Sequence, residues 1–179
     1  NNPSNHLTTL EKSLPSLCYF DEEFYNKELL EIWSKNWIYV CHKSRLNKKL
    51  SYETISLGKQ SIIVLSDSKE NLRAYFNTCR HRGSILCEKG SGKLNSKALV
   101  CPYHQWSYHV DTGELLKIPS FSKMPDGFDK KNFSLFPVEI KQWRGCIFIN
   151  LKNGVKWDKD SLFQRPPEAF KNFPIEEMI

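Results

Sequence analysis

The stretch from residue 77 to 106 constrains this chain more than any other. It contains Cys79-Arg80-His81 and, after nineteen intervening residues, Cys101-Pro102-Tyr103-His104. Each half offers one thiol and one imidazole, with one residue between the first pair and two between the second. Four such donors in two short segments form a metal-binding pattern. Two cysteines and two histidines can hold structural zinc, but zinc motifs usually open with paired cysteines, whereas each half here mixes its donor types. That asymmetry suits a 2Fe-2S cluster held between two loops, with both thiolates on one iron and both imidazoles on the other. The charge arithmetic gives the mixture a purpose. Two ferric ions, two sulfides, two thiolates and two neutral imidazoles sum to zero, whereas four thiolates would leave the oxidised cluster at minus two, so an electron is added more easily to the mixed set. Cys79, His81, Cys101 and His104 are therefore the candidate cluster-binding and metal-ligating residues. On spacing alone zinc stays open as the alternative, and it predicts a colourless protein.

The flanking residues carry a resemblance. Asn77-Thr78-Cys79-Arg80-His81-Arg82-Gly83-Ser84 and Cys101-Pro102-Tyr103-His104-Gln105-Trp106 resemble the two cluster loops of Rieske non-haem iron oxygenases, in the N-terminal Rieske domain of their large, alpha subunit. The resemblance implies an antiparallel β-sandwich with a cluster-binding two-loop subdomain, and a Rieske-type 2Fe-2S cluster as cofactor. It implies electron transfer, with a ferredoxin or a flavin-containing reductase as donor. The acceptor would be the mononuclear Fe(II) of a neighbouring subunit in a trimer. Rieske proteins of respiratory complexes carry an extra cysteine in each loop, joined as a disulfide; the matching positions here look like Ser84 and Tyr103, which points to the oxygenase and ferredoxin branches. Within the oxygenases the loops are similar to those of the subgroup acting on quaternary ammonium compounds such as glycine betaine, carnitine or stachydrine, by hydroxylation and demethylation. Aromatic-ring dihydroxylation is the alternative. A stand-alone Rieske-type ferredoxin carrier is an alternative of a different class; the N-terminal arm and Pro-rich exit fit the oxygenase better.

That family's chemistry occurs at a separate iron held by two histidines and a carboxylate. Of the five histidines, His6, His42 and His109 remain after the candidate ligands, and they offer no such triad with an acidic partner at a suitable spacing. No catalytic residue is therefore assigned, the catalytic domain is expected to lie outside these residues, and oxygenation is not expected from them alone.

Length and charge bound the rest. The 179 residues suffice for one ordinary domain with a real core. No apolar run approaches a membrane span and the first residues lack a secretory pattern, so a cytoplasmic protein with no membrane partner is expected. The net charge of +6 is spread along the chain, which gives nucleic-acid binding little support. Arg80, Arg82, Lys89, Lys93 and Lys97 flank the motif and suggest a surface that steers acidic electron donors, with a solvated rim as the plainer explanation for the three lysines. Two of the six cysteines are candidate ligands, and the other four read as small buried hydrophobes.

The periodicity predicts a mostly β fold. Residues 1–37 read as an irregular arm followed by a helix capped by Asp21 and running to about Trp37, with Leu29, Leu30, Trp33 and Trp37 as its buried stripe. Residues 38–151 form the Rieske domain. Ile38–Cys41 reads as a buried strand, and the chain from Ser51 alternates with period two, with Ser61–Leu65 central and a return strand from Leu72 ending in the first loop. Residues 88–97 read as a polar linker, Ala98–Val100 and Trp106–Val110 as strands on either side of the second loop, and 117–137 as a long surface connection. Val138–Lys141 and Cys146–Leu151 close the sheet. Trp106 is expected to shield the cluster loop or simply to fill the core. Residues 152–179, with Pro166-Pro167, read as a linker toward the absent catalytic domain.

Overall fold

The computed structural model describes residues 12–119, 126–157 and 173–178. Among the described residues the chain forms ten short strands in three antiparallel sheets, with one short α-helix. The central sheet has the order β4-β3-β2-β5, built from Ser51–Leu57 (β2), Gln60–Ser66 (β3), Leu72–Phe76 (β4) and Ser91–Lys93 (β5). Its middle strand, β3, is apolar on both faces because it separates two cores. Ile62 and Val64 face one core with Cys41, Ile147 and Ile149; Ile63 and Leu65 face the other with Tyr75, Leu99, Trp106 and Tyr108. Alternate residues of a strand point to opposite sides, so one continuous apolar run serves both.

The first core is closed by a sheet of order β1-β10-β9, made of Ile38–His42 (β1), Glu139–Trp143 (β9) and Cys146–Asn150 (β10). Arg144 and Gly145 link the last two strands with φ of 44° and 80°, the two-residue turn whose twist matches the flanking strands. The second core is closed by Ala98–Val100 (β6), Ser107–His109 (β7) and Leu115–Lys117 (β8), in the order β6-β7-β8. This small sheet carries the second half of the motif at the β6–β7 connection, while β4 delivers the first half.

Hydrogen bonds tie the small sheet to the rest. The Ser68 amide and hydroxyl donate to the two carboxylate oxygens of Asp111 at 3.0 and 2.7 Å. The Tyr75 hydroxyl donates to the Val110 carbonyl at 3.1 Å. The chain returning toward β9 forms a strap: the Leu135 amide donates to the Gly113 carbonyl at 2.8 Å, the Phe76 amide to the Phe136 carbonyl at 3.0 Å, and the Val138 amide to the Ala74 carbonyl at 2.9 Å.

Several expectations are corrected. Asp21 does cap the helix, accepting from the Phe24 amide at 2.7 Å, but the α-helix is short, Glu22–Glu28 (α1). It continues only as a π-turn, Leu29–Trp33, in which Ser34 donates back to Leu29. The wider turn breaks the 3.6-residue period, so the expected buried stripe is not kept on one side: Leu30, Ile32 and Trp33 are exposed. Tyr39 on β1 is exposed as well. The stretch read as a polar linker contains β5, and the stretch from 117 follows a strand, β8, that was not expected. Of the four cysteines read as buried hydrophobes, Cys41 is buried, while Cys18, Cys87 and Cys146 are half-buried. Pro166-Pro167, His6 and the first part of the arm lie outside the described residues. No helix among the described residues is long and apolar enough to cross a membrane.

Candidate metal centre

The two halves of the motif fold into loops with the same hydrogen-bond frame. In the first, the Cys79 amide donates to the Ser84 carbonyl at 2.8 Å and the Gly83 amide donates back to Cys79 at 3.0 Å. In the second, the Cys101 amide donates to the Trp106 carbonyl at 2.8 Å and the Gln105 amide donates back to Cys101 at 3.0 Å. In both, the residue four after the cysteine has left-handed backbone, Gly83 at φ 73° and Gln105 at φ 58°. The frame begins with a buried cysteine and turns the following histidine outward. Asn77, itself buried, clamps the base of the first loop: its side chain donates to the Cys87 carbonyl at 2.8 Å and accepts from the Cys87 amide at 3.0 Å.

Cys79 and Cys101 are buried in the same core, each close enough to shift the other's thiol. Burial pushes both thiols up. For Cys101 the backbone amides of His104 and Tyr103 and the side chains of Cys79 and Ser84 outweigh burial and hold it below the ordinary thiol value. For Cys79 burial wins over the hydrogen bonds from Tyr108 and the His81 amide, and the thiol stays above it. Ser84, at one of the positions that resemble the disulfide cysteines of the respiratory proteins, lies near enough to Cys101 to help lower its thiol. Tyr103, at the other, is exposed, and its ring lies 3.8 Å from that of His104. All six cysteines are free.

The imidazoles meet on the outer side, His81 and His104 at 4.8 Å between ring centroids in an edge-on arrangement. His81 stacks on Trp106 at 4.8 Å with 7° between planes. Loss of some hydration around this exposed ring, the His104 imidazole and Arg82 together lower its pKa, favouring the neutral form that can ligate a metal. Nδ1 of His104 is buried and has no hydrogen-bond partner. A buried nitrogen left bare is costly unless something else engages it, so this donor set fits a metal. The donors are sorted by type, thiol beside thiol and imidazole beside imidazole. Among the described residues no three His, Cys, Asp or Glu side chains are grouped around one point.

The model of the Rieske [2Fe-2S] domain family matches residues 36–139, more than half of the chain. The chain belongs to this Rieske family. Its relatives include the glycine betaine monooxygenase oxygenase subunit of Pseudomonas aeruginosa, 37% identical over 139 residues, covering 78% of this chain and 31% of that protein. The large subunit of anthranilate 1,2-dioxygenase from Acinetobacter baylyi is 34% identical over 133 residues, covering 74% of this chain and 28% of its own. Among solved structures, the quaternary ammonium Rieske monooxygenase CntA in complex with an inhibitor superposes with a TM-score of 0.75 at 31% identity, covering 84% of this chain and 41% of that one. The Rieske chain thus spans about a third of the length of the curated relatives it matches. With the family in hand, the cofactor is a Rieske 2Fe-2S cluster and the zinc alternative falls.

The fold brings the two candidate cysteines together in the core and the two candidate histidines together on the outer side, in surroundings only partly foreseen. Trp106 is buried in the core, stacks on His81 and meets the edge of Phe133 at 5.8 Å. Tyr108 was missed. Its hydroxyl lies 3.1 Å from Cys79 Sγ and accepts from the Arg80 amide at 3.0 Å. The alternation Trp106, Tyr108, Val110 signals three inward residues, but no pattern says that a hydroxyl meets a sulfur. Of the basic residues expected to steer a donor, Lys93 lies on β5 opposite Ser51 and Lys97 precedes β6 at the end remote from Cys101, while the guanidinium of half-buried Arg80 is held by the carbonyls of Ser134 and Asn132. Arg82 stays exposed beside the histidines.

Proposed function

We propose that Cys79, His81, Cys101 and His104 hold the Rieske cluster, and that this chain is the electron-transfer portion of an oxygenase alpha subunit. The observation that carries the assignment is the sorted donor set: two thiols in the core and two imidazoles at the surface, presented by two loops of one frame. When bound, the cluster takes up one electron and gives one up. Tyr108 and the amides of His81, Tyr103 and His104 direct hydrogen bonds at the two sulfurs, stabilising the extra negative charge of the reduced state. Trp106 and Phe133 exclude water from one side of His81. His81 and His104 give the short path through which an electron enters and leaves.

A ferredoxin or flavin-containing reductase is the proposed donor, losing one electron. The proposed acceptor is a mononuclear iron in a catalytic domain of a neighbouring subunit of a trimer. The boundaries 1–37, 38–151 and 152–179 are proposed as arm and helix, Rieske domain and linker. The full-length protein would hydroxylate or demethylate a small quaternary ammonium compound, a reading supported by the glycine betaine relative and the CntA structure. Ring dihydroxylation stays a second reading because the anthranilate enzyme aligns nearly as well. Six free thiols suit a reducing cytoplasmic setting.

His81→Cys tests the ligand assignment. A thiolate in place of neutral imidazole adds a negative charge to the cluster, so the midpoint potential should fall sharply wherever the cluster is retained. A retained cluster with the wild-type potential and electron paramagnetic signal would contradict the assignment. Product analysis of the full-length protein with a reductase, offered glycine betaine, carnitine and an aromatic acid, separates the two substrate classes.

A further inference from the structure

Arg80 lies between two proposed ligands, yet its side chain turns away from them. Nη1 donates to the Ser134 carbonyl at 2.7 Å and Nη2 to the Asn132 carbonyl at 3.3 Å, and the guanidinium carbon sits 3.8 Å over the ring of Phe136. All three belong to the strap already seen to bond Gly113 and β4. The backbone of Arg80 faces the other way. Its N–H donates to the Tyr108 hydroxyl, which lies 3.1 Å from Cys79 Sγ. A phenol has one proton, and the oxygen already accepts from Arg80, so the proton is free to point at the sulfur. Accepting a hydrogen bond also makes the phenol a stronger donor.

We propose that Arg80 is a positioning residue. The strap, gripped by the guanidinium, fixes the Arg80 peptide so that its N–H stays on Tyr108 and the Tyr108 hydroxyl stays on Cys79, and the seating of the strap thereby sets the reduction potential. The proposal rests on the reading that Cys79 is a cluster ligand. A guanidinium suits the task because its planar fork reaches two carbonyls while its face lies on an aromatic ring, which an ammonium cannot reproduce. The rival role is plain electrostatics, in which any cation near the cluster favours the reduced state. The two roles diverge in variants that keep the charge.

The test uses the cluster-loaded protein as wild type, Tyr108→Phe, Arg80→Lys, Phe136→Leu and the Tyr108→Phe/Phe136→Leu double variant. Midpoint potentials are read by spectroelectrochemistry, and amide hydrogen exchange is followed across the first loop. Phe136 is largely exposed and its replacement conservative, so folding is retained; thermal unfolding verifies this for each variant. Tyr108→Phe should lower the reduction equilibrium constant about tenfold, equivalent to about 59 mV for one electron. Arg80→Lys and Phe136→Leu should each lower it about threefold and speed exchange at the Arg80 amide. The double variant should fall no further than Tyr108→Phe, because both changes act through one hydrogen bond. Wild-type potentials in Arg80→Lys and Phe136→Leu, with Tyr108→Phe still lowered, would overturn the strap's role and leave Cys79 as a ligand. Additive shifts in the double variant would equally overturn it. An unchanged potential in Tyr108→Phe would overturn the proposal, because the hydroxyl would then not tune the centre; iron retained in Cys79→Ala would instead remove the ligand reading of Cys79.

Discussion

The two loops of the centre are built on one frame and finished differently. Each opens with a buried cysteine whose amide and carbonyl are closed by the residues five and four positions on. Within that frame the first loop places its histidine two residues after the cysteine and the second three residues after. The surroundings differ as well. Cys101 is served by its own loop, through the amides of Tyr103 and His104, with Ser84 reaching across. Cys79 has one amide of its own loop, that of His81, and relies besides on a side chain from a different strand, Tyr108 of β7. His81 has a buried indole stacked on it, whereas His104 has the exposed ring of Tyr103. The frame is therefore a matter of local backbone geometry, and the differences are supplied by tertiary contacts. Pairs of substitutions, one in each loop, separate the two.

The largest effect is expected from the cysteines themselves. Cys79→Ala and Cys101→Ala should each abolish iron and acid-labile sulfide content and the red-brown colour, because a metal site's binding energy is also folding energy. The metal-free forms should then differ. Cys79→Ala leaves the buried Tyr108 hydroxyl without a hydrogen-bond acceptor, a cost of about 1–3 kcal/mol, whereas Cys101→Ala leaves amides near the loop surface that water can reach. Denaturant unfolding of the two apo-variants checks this. Equal stabilities would mean that Tyr108 finds another acceptor and that the loops are less unequal than their contacts indicate.

The aromatic neighbours of the histidines come next. Trp106→Ala removes a buried ring that touches His81 and Phe133 and should cost about 3–5 kcal/mol, as large-to-small core changes do. Tyr103→Ala removes a ring that is 62% exposed and should stay within about 0.5 kcal/mol. Thermal unfolding of both variants measures the contrast. A large loss from Tyr103→Ala would show that its contact with His104 is a packing contact and not a surface one.

The same division between local and tertiary explains what could be read in advance. The ligand set was legible because both loops are contiguous and their donor types are unusual at that spacing. β3 was legible because a strand buried on both faces is apolar throughout, and the alternation around it fixed the neighbouring strands. The three-residue strands β5 and β8 were not, because they are defined by backbone pairing with β2 and β7 and have no side-chain pattern of their own. The helix was foreseen from Asp21, yet its stripe failed because a π-turn changes the period at Leu29. Arg80 looked like a surface charge beside a ligand. Only the fold brings it to carbonyls more than fifty positions away, at Asn132 and Ser134.

The smallest effect sharpens the claim that both loops share one frame. Gly83 and Gln105 occupy the same left-handed position, at φ 73° and 58°. A side chain there brings its Cβ close to the following carbonyl, at a cost of about 1–2 kcal/mol. A Cβ added at Gly83 would meet no atom within 4 Å, so Gly83→Ala should carry that conformational cost and no clash. Gln105→Gly relieves the same strain but frees the unfolded chain, and the two contributions nearly cancel, giving a change of less than about 0.5 kcal/mol. Apo-protein unfolding gives both numbers, and the loaded protein adds a second reading. If the frame alone sets the loop, Gly83→Ala lowers stability without changing the visible spectrum. A spectrum that shifts in Gly83→Ala but not in Gln105→Gly would mean that His81, only two residues from the turn, feels its geometry directly, and that the shorter spacing of the first loop makes it the less tolerant of the two.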